Sequence, residues 1–170
     1  MFGTPKNADN MSNAIASPYS FSPEVRALLE QAGWYDNRIA SPPPALPYDV
    51  QYPPAIHRLL MEFGGLSVES SGPGVNKARN SIEFDPLWAE GESTEDGRLT
   101  YYSSLLGSTL YPIGQVSNSP WMICLDLHGK VYMAGDCLFF VGESFVEGVS
   151  NMLLGIRGKV LQEETKQWIE

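Results

Sequence analysis

A chain of 170 residues with a hydrophobic fraction of 43% has room for one ordinary domain with a real core, and its composition is neither disordered nor membranous. The net charge of −9 argues against non-specific nucleic-acid binding, which needs Lys and Arg to displace counterions from phosphates. No apolar run approaches the roughly 20 residues of a spanning helix, so no membrane partner is expected.

Residues 1–20 are rich in Asn, Ser, Ala and Pro without periodicity, and they read as a flexible tail with no secretory h-region. A first helix opens at Ser22-Pro23-Glu24, with Ser as N-cap and Pro at the first helical position. Val25, Leu28, Leu29 and Ala32 give it one apolar stripe, Gly33 is placed to end it, and Trp34 is expected to fold back on the core. Six prolines in residues 41–54 exclude helix and favour an extended path. A second helix starts near Pro53-Pro54, carries Ile56, Leu59, Leu60 and Phe63, and stops at Gly64-Gly65.

Short strands are predicted at residues 66–69 and 81–84, separated by a loop that holds the basic pair Lys77 and Arg79. An acidic loop with Glu90, Glu92, Glu95 and Asp96 follows, then a third helix over about residues 99–106 that ends at Gly107. Residues 111–141 contain three apolar, aromatic-rich runs and read as the centre of an antiparallel sheet. Leu127-His128-Gly129 suits a three-residue hairpin loop, with Asp126 and Lys130 facing each other as an opposite-charge pair. Ser144-Phe145-Val146-Glu147 has the form of a capping box for a helix that ends at Gly155, and Gly148 should weaken that helix by about 1 kcal/mol relative to Ala. Residues 159–170 are expected to form a short charged helix, with Val160, Leu161, Trp168 and Ile169 as contacts.

The pattern has no βαβ rhythm. It predicts an α+β fold: a single domain over residues 21–155 with a central antiparallel sheet packed by helices, flanked by the tail and by a C-terminal extension over 156–170.

Few residue patterns in the chain suit catalysis or metal binding. The only ready bases are His57, on a helix surface, and His128, at a hairpin tip; no Gly-x-Ser-x-Gly elbow accompanies them. Cys124 and Cys137, both in predicted strands, read as buried thiols in a reducing cytoplasm, with a cross-strand disulfide left open. There is no Cys-x-x-Cys or His-Glu-x-x-His, and the acidic loop lacks the alternating ligands and central Gly of a calcium loop. Gly64-Gly65 and Gly72-Pro73-Gly74 are not phosphate cradles, since neither is followed by Lys-Ser/Thr and a helix. No catalytic residue, metal or cofactor is therefore expected.

One set of motifs carries more. In order stand Leu28-Leu29-Glu30-Gln31-Ala32-Gly33-Trp34 followed by Arg38, then Leu60-Met61-Glu62-Phe63-Gly64-Gly65-Leu66, then Phe84-Asp85-Pro86. Leu110-Tyr111-Pro112-Ile113-Gly114, the hairpin Leu125-Asp126 to Gly129-Lys130-Val131-Tyr132, and Gly142 before the last domain helix complete it. Together they resemble the SUKH superfamily of bacterial immunity proteins, and most closely its third immunity family.

The resemblance implies a compact α+β domain that neutralises a cognate protein toxin, often a nuclease of a polymorphic or contact-dependent system, by binding it. The superfamily also includes eukaryotic regulatory proteins, so a regulatory or scaffold module acting on an endogenous protein is the alternative. A basic toxin surface would be steered by acidic groups, and Glu69, Glu83, Glu90, Glu92, Glu95 and Asp96 are the candidate contacts. Arg38 and Asp85 are a candidate buried or groove-lining pair, or else an ordinary structural salt bridge or separate surface charges.

Overall fold

The computed structural model describes residues 18–87 and 97–170. Its strands form one antiparallel sheet in which spatial order follows chain order: β1 (Ser67–Val68), β2 (Ile82–Glu83), β3 (Tyr111–Val116), β4 (Met122–Leu125), β5 (Val131–Ala134), β6 (Leu138–Gly142), β7 (Lys159–Gln162) and β8 (Gln167–Ile169). Four helices accompany it among the described residues: α1 (Pro23–Gln31), α2 (Pro54–Phe63), α3 (Arg98–Leu106) and α4 (Phe145–Leu154). The α+β architecture is thus the expected one. None of these helices is long and apolar enough to cross a membrane.

Side-chain alternation along the strands divides the sheet into two unequal faces. Val68, Ile82, Ile113, Ile123, Leu125, Val131, Met133 and Val141 point to one face, where α1, α2 and α4 bury Leu29, Leu60, Phe63, Val149 and Met152 against them. Aromatic rings close this core. Trp34 stacks on Phe63 at 5.7 Å, and Phe63 meets Phe145 edge-on at 4.8 Å. Tyr19, inside the segment expected to be a tail, joins them with its ring 5.1 Å from Phe63 and 5.4 Å from Phe145. The opposite face carries Met122, Cys124, Tyr132, Ala134 and Leu138, covered by α3 through Tyr102. The Tyr102 hydroxyl donates to Gly135 O at 3.0 Å, and burial pushes its pKa up to about 12.

Local signals account for most element ends. Ser22 Oγ accepts from Val25 N at 3.4 Å to open α1, and the Trp34 amide reaches back to Leu29 O at 3.0 Å beyond Gly33. At α4, Ser144 Oγ accepts from Glu147 N at 3.2 Å, while the Glu147 carboxylate reaches one residue further back than a capping box requires, to Glu143 N at 2.7 Å.

Three expectations need correction. Residues 159–170 form the β7–β8 hairpin, with Phe139 paired to Val160 and Leu161 to Trp168. Of the expected contacts, Leu161 and Trp168 pack in the α3-side core while Ile169 is exposed, and the backbone of β6 needs a pairing partner that a helix would not supply. Asp126 does not meet the Lys130 ammonium. Its carboxylate turns inward at 3% exposure, accepting from His128 N at 2.8 Å, Lys130 N at 3.0 Å and the Tyr132 hydroxyl at 3.1 Å, while Lys130 Nζ sits 3.8 Å from Glu143. A short carboxylate here satisfies the hairpin's own amides, which a salt bridge across its mouth would leave open. Cys137 lies in the turn before β6 rather than in a strand, and both thiols are free.

Candidate partner-binding site

The meander begins at an open edge, and a cleft of about 460 Å³ lies beside it. Pro44 and Ala45 of the proline-rich segment form one wall; Leu66, Ser67, Glu83 and Asp85 belong to the other. Ser67 pairs with Glu83, Glu83 with Gln115, and Gln115 with Met122, so these polar residues continue the row that farther along is buried beneath α3. Where α3 ends its cover, the same face becomes acidic. The cleft lining holds two carboxylates, Glu83 and Asp85.

Several contacts hold the cleft rigid. The Glu83 carboxylate accepts a hydrogen bond from Gln115 Nε2 on the neighbouring strand. Gly114 permits that pairing, because a Cβ there would collide with Glu83 O. Leu66 O accepts from Phe84 N at 2.9 Å and Phe84 O accepts from Gly65 N at 3.0 Å, which fixes the floor. Gly64 lies under Pro44, whose Cγ would be 2.5 Å from an added Cβ.

Behind this wall, Glu62 is almost wholly buried and accepts through Oε1 from Trp34 Nε1 at 3.1 Å and Asn37 N at 3.2 Å. Burial raises its pKa above the ordinary carboxylate value, and the two hydrogen bonds oppose that shift. Arg38 donates to Glu62 O at 2.6 Å and Gly64 O at 3.1 Å. Its guanidinium thus ties the loop after α1 to the end of α2 and makes no ion pair with Asp85, which stands exposed in the cleft lining. The latch Trp34–Glu62–Arg38 was not legible as such; its signal was the pair of motifs Gly33-Trp34 and Glu62-Phe63-Gly64, which carry these same residues.

Of the candidate contacts, Glu83 lines the cleft and Glu69 is exposed two residues beyond Ser67. Glu90, Glu92, Glu95 and Asp96 lie outside the described residues; in the chain they join Leu87, a cleft residue, to Gly97 at the start of α3. His57 and His128 are exposed, one on α2 and the other at the β4–β5 hairpin. Burial raises the pKa of both Cys124 and Cys137, which holds the thiols in the non-nucleophilic form. Among the described residues no group of His, Cys, Asp and Glu is arranged to hold a metal ion.

The sequence model of the SUKH-3 immunity protein family matches residues 21–155. The chain belongs to the SUKH-3 immunity protein family. No curated protein and no solved structure matches it. The SUKH-3 match contains both walls of the acidic cleft and the latch behind it, and it stops at Gly155, the residue that caps α4. Strands β7 and β8 therefore extend the sheet beyond the matched SUKH-3 residues.

Proposed function

We propose that this protein neutralises a cognate toxin by binding it, with a basic surface of the toxin seated against the acidic cleft at the β1–β2 edge. Membership of the SUKH-3 family supports the immunity role. The observation that carries the location is a cleft at the sheet edge whose lining brings the carboxylates of Glu83 and Asp85 together. A carboxylate held in the sheet ladder, as Glu83 is, costs little reorganisation on binding, and negative charge at this edge steers a positively charged surface toward it. Glu69, together with Glu90, Glu92, Glu95 and Asp96, would add to the negative charge offered to such a partner.

Nucleases fit the partner class, because an active site that binds phosphates presents Lys and Arg to a rival set of carboxylates. Binding without turnover is the mode of action in this reading, exercised in the cytoplasm where such a toxin would act. Co-expression with the toxin encoded next door tests it: cells should survive with the protein and die without it. Equal killing in both cultures would end the proposal. A complex that forms and loses affinity with added salt supports the acidic cleft as the contact.

A further inference from the structure

A second cavity, of about 500 Å³, opens past the C-terminal end of α4. Its apolar wall is Val116, Trp121, Met133 and Phe139. Met133 pairs with Ile123 and Phe139 with Met133, which places this wall on the face packed by α1, α2 and α4 rather than on the face of the acidic cleft. Trp121 and Phe139 meet edge-on at 5.4 Å and are only half-buried, so they present aromatic surface to the cavity.

The rest of the lining comes from the loop between β1 and β2 and from the chain after α4. It includes Lys77 and Arg157 and, among the described residues, no carboxylate. The sequence pairs Lys77 with Arg79 by proximity, but Arg79 is neutralised by Glu24 at 2.8 Å. Lys77 makes no ion pair and no side-chain hydrogen bond among the described residues. It is half-buried, and its pKa is lowered by burial and then by the positive charge of Arg157.

The helix end does not supply the missing anion. The amides of Val75, Asn76, Lys77 and Asn80 already occupy Leu154 O, Gly155 O and Met152 O at 3.0–3.2 Å. Gly74 and Gly155 let these backbones touch, and Asn76 Oδ1 accepts from Arg157 N at 2.7 Å. The two cations are therefore held together by backbone contacts against their mutual repulsion, in a chain whose net charge is −9.

We propose that this cavity binds a small organic anion, its oxyanion meeting Lys77 and Arg157 and its aromatic or apolar body lying against Trp121, Met133 and Phe139. The volume falls in the range of small-molecule sites, roughly 300–1,000 Å³, and the lining has their usual form of an apolar wall with a few convergent polar groups. An Arg fork matches a carboxylate or phosphate in two hydrogen bonds, and the ammonium adds a point charge. The site does not depend on the toxin reading.

Naphthoate, naphthyl phosphate, neutral naphthamide and inorganic phosphate, titrated separately into the full-length nitrogen-labelled protein and followed by NMR, test it. Naphthoate or naphthyl phosphate should shift the Trp121 indole N–H, assigned through Trp121→Phe, and the amides of Lys77 and Arg157 saturably; the tighter of the two identifies the preferred oxyanion. Naphthamide should bind at least about tenfold more weakly, as should the better anion to Lys77→Met and to Arg157→Met, while Lys77→Arg retains binding. The proposal is overturned if neither anion saturates, if naphthamide binds equally well, or if the Met variants bind like the native protein. Inorganic phosphate matching the aromatic anions would overturn the role of the aromatic wall.

Discussion

The acidic cleft and the cationic cavity are nearly equal in volume, about 460 and 500 Å³, yet opposite in charge and placed on opposite faces of the sheet. The cleft is assembled from short stretches around one strand pair and the segment that leans on it. The cavity collects residues from four places: the β1–β2 loop, the β3–β4 turn with its flanks, the β5–β6 hairpin, and the chain after α4. Net charge describes the first and misleads about the second. The sign of a local field is set by the few side chains that the fold brings within a Debye length, roughly 8–10 Å, rather than by the sum over the chain.

The sharpest way to break this contrast is to reverse the charge of the cleft. Glu83→Lys combined with Asp85→Lys should weaken toxin binding at least about a hundredfold, since like-charge juxtaposition costs several kcal/mol. Calorimetric titration and survival on co-expression would measure it. Lys77→Met with Arg157→Met should leave toxin affinity within about twofold, because rim or remote charges contribute little. Equal losses from both pairs would mean that the two regions do not divide the work.

Next in size is the latch behind the cleft. Glu62→Leu leaves Trp34 Nε1 and Asn37 N without their acceptor and should cost about 3 kcal/mol in urea unfolding, each buried donor being worth about 1–3 kcal/mol. Gly148→Ala probes how closely α4 packs on the sheet that carries both regions. Helix propensity predicts a gain of about 1 kcal/mol, but the new Cβ would stand 2.5 Å from Val131 Cβ, and Gly142 approaches the same backbone. A loss of about 2 kcal/mol is expected from overpacking, seen as a lowered denaturation midpoint.

The smallest effect is a matter of sign. The folded-state pKa of Glu62 is raised, so the folded protein holds that proton more tightly than the unfolded chain. The stability it contributes is complete below the unfolded value near 4.3 and is lost as pH rises through the folded value. Glu62→Gln keeps Oε1 as acceptor for both donors and removes this slope. Native protein should therefore lose stability relative to the Gln variant as pH is raised from about 4 to 7, measured by thermal unfolding across that range.

How far the sequence could be read depended on whether a signal was local. The Ser22 and Ser144 caps, the stop at Gly107 and the turn at Gly129 were legible because each depends on a few neighbouring residues. The last strands were not. Val160, Leu161, Trp168 and Ile169 announce contacts but not the unpaired edge of β6 that selects strand over helix. Asp126 was visible at the hairpin, though only the folded turn shows that its carboxylate faces inward to three donors. At the site, Glu83 and Asp85 could be named as acids, while their shared cleft depends on the Ser67–Glu83–Gln115 row.

The sequence by itself determined the α+β class, most element positions and the family, because periodicity, caps and ordered motifs are properties of neighbouring residues. Tertiary structure alone decided which charges meet. It gave Arg38 to backbone carbonyls instead of Asp85, Arg79 to Glu24, and Arg157 to the vicinity of Lys77. Such pairings join residues up to 80 positions apart, Lys77 and Arg157 being the longest, and no local rule fixes which distant group will fill the space beside a charge.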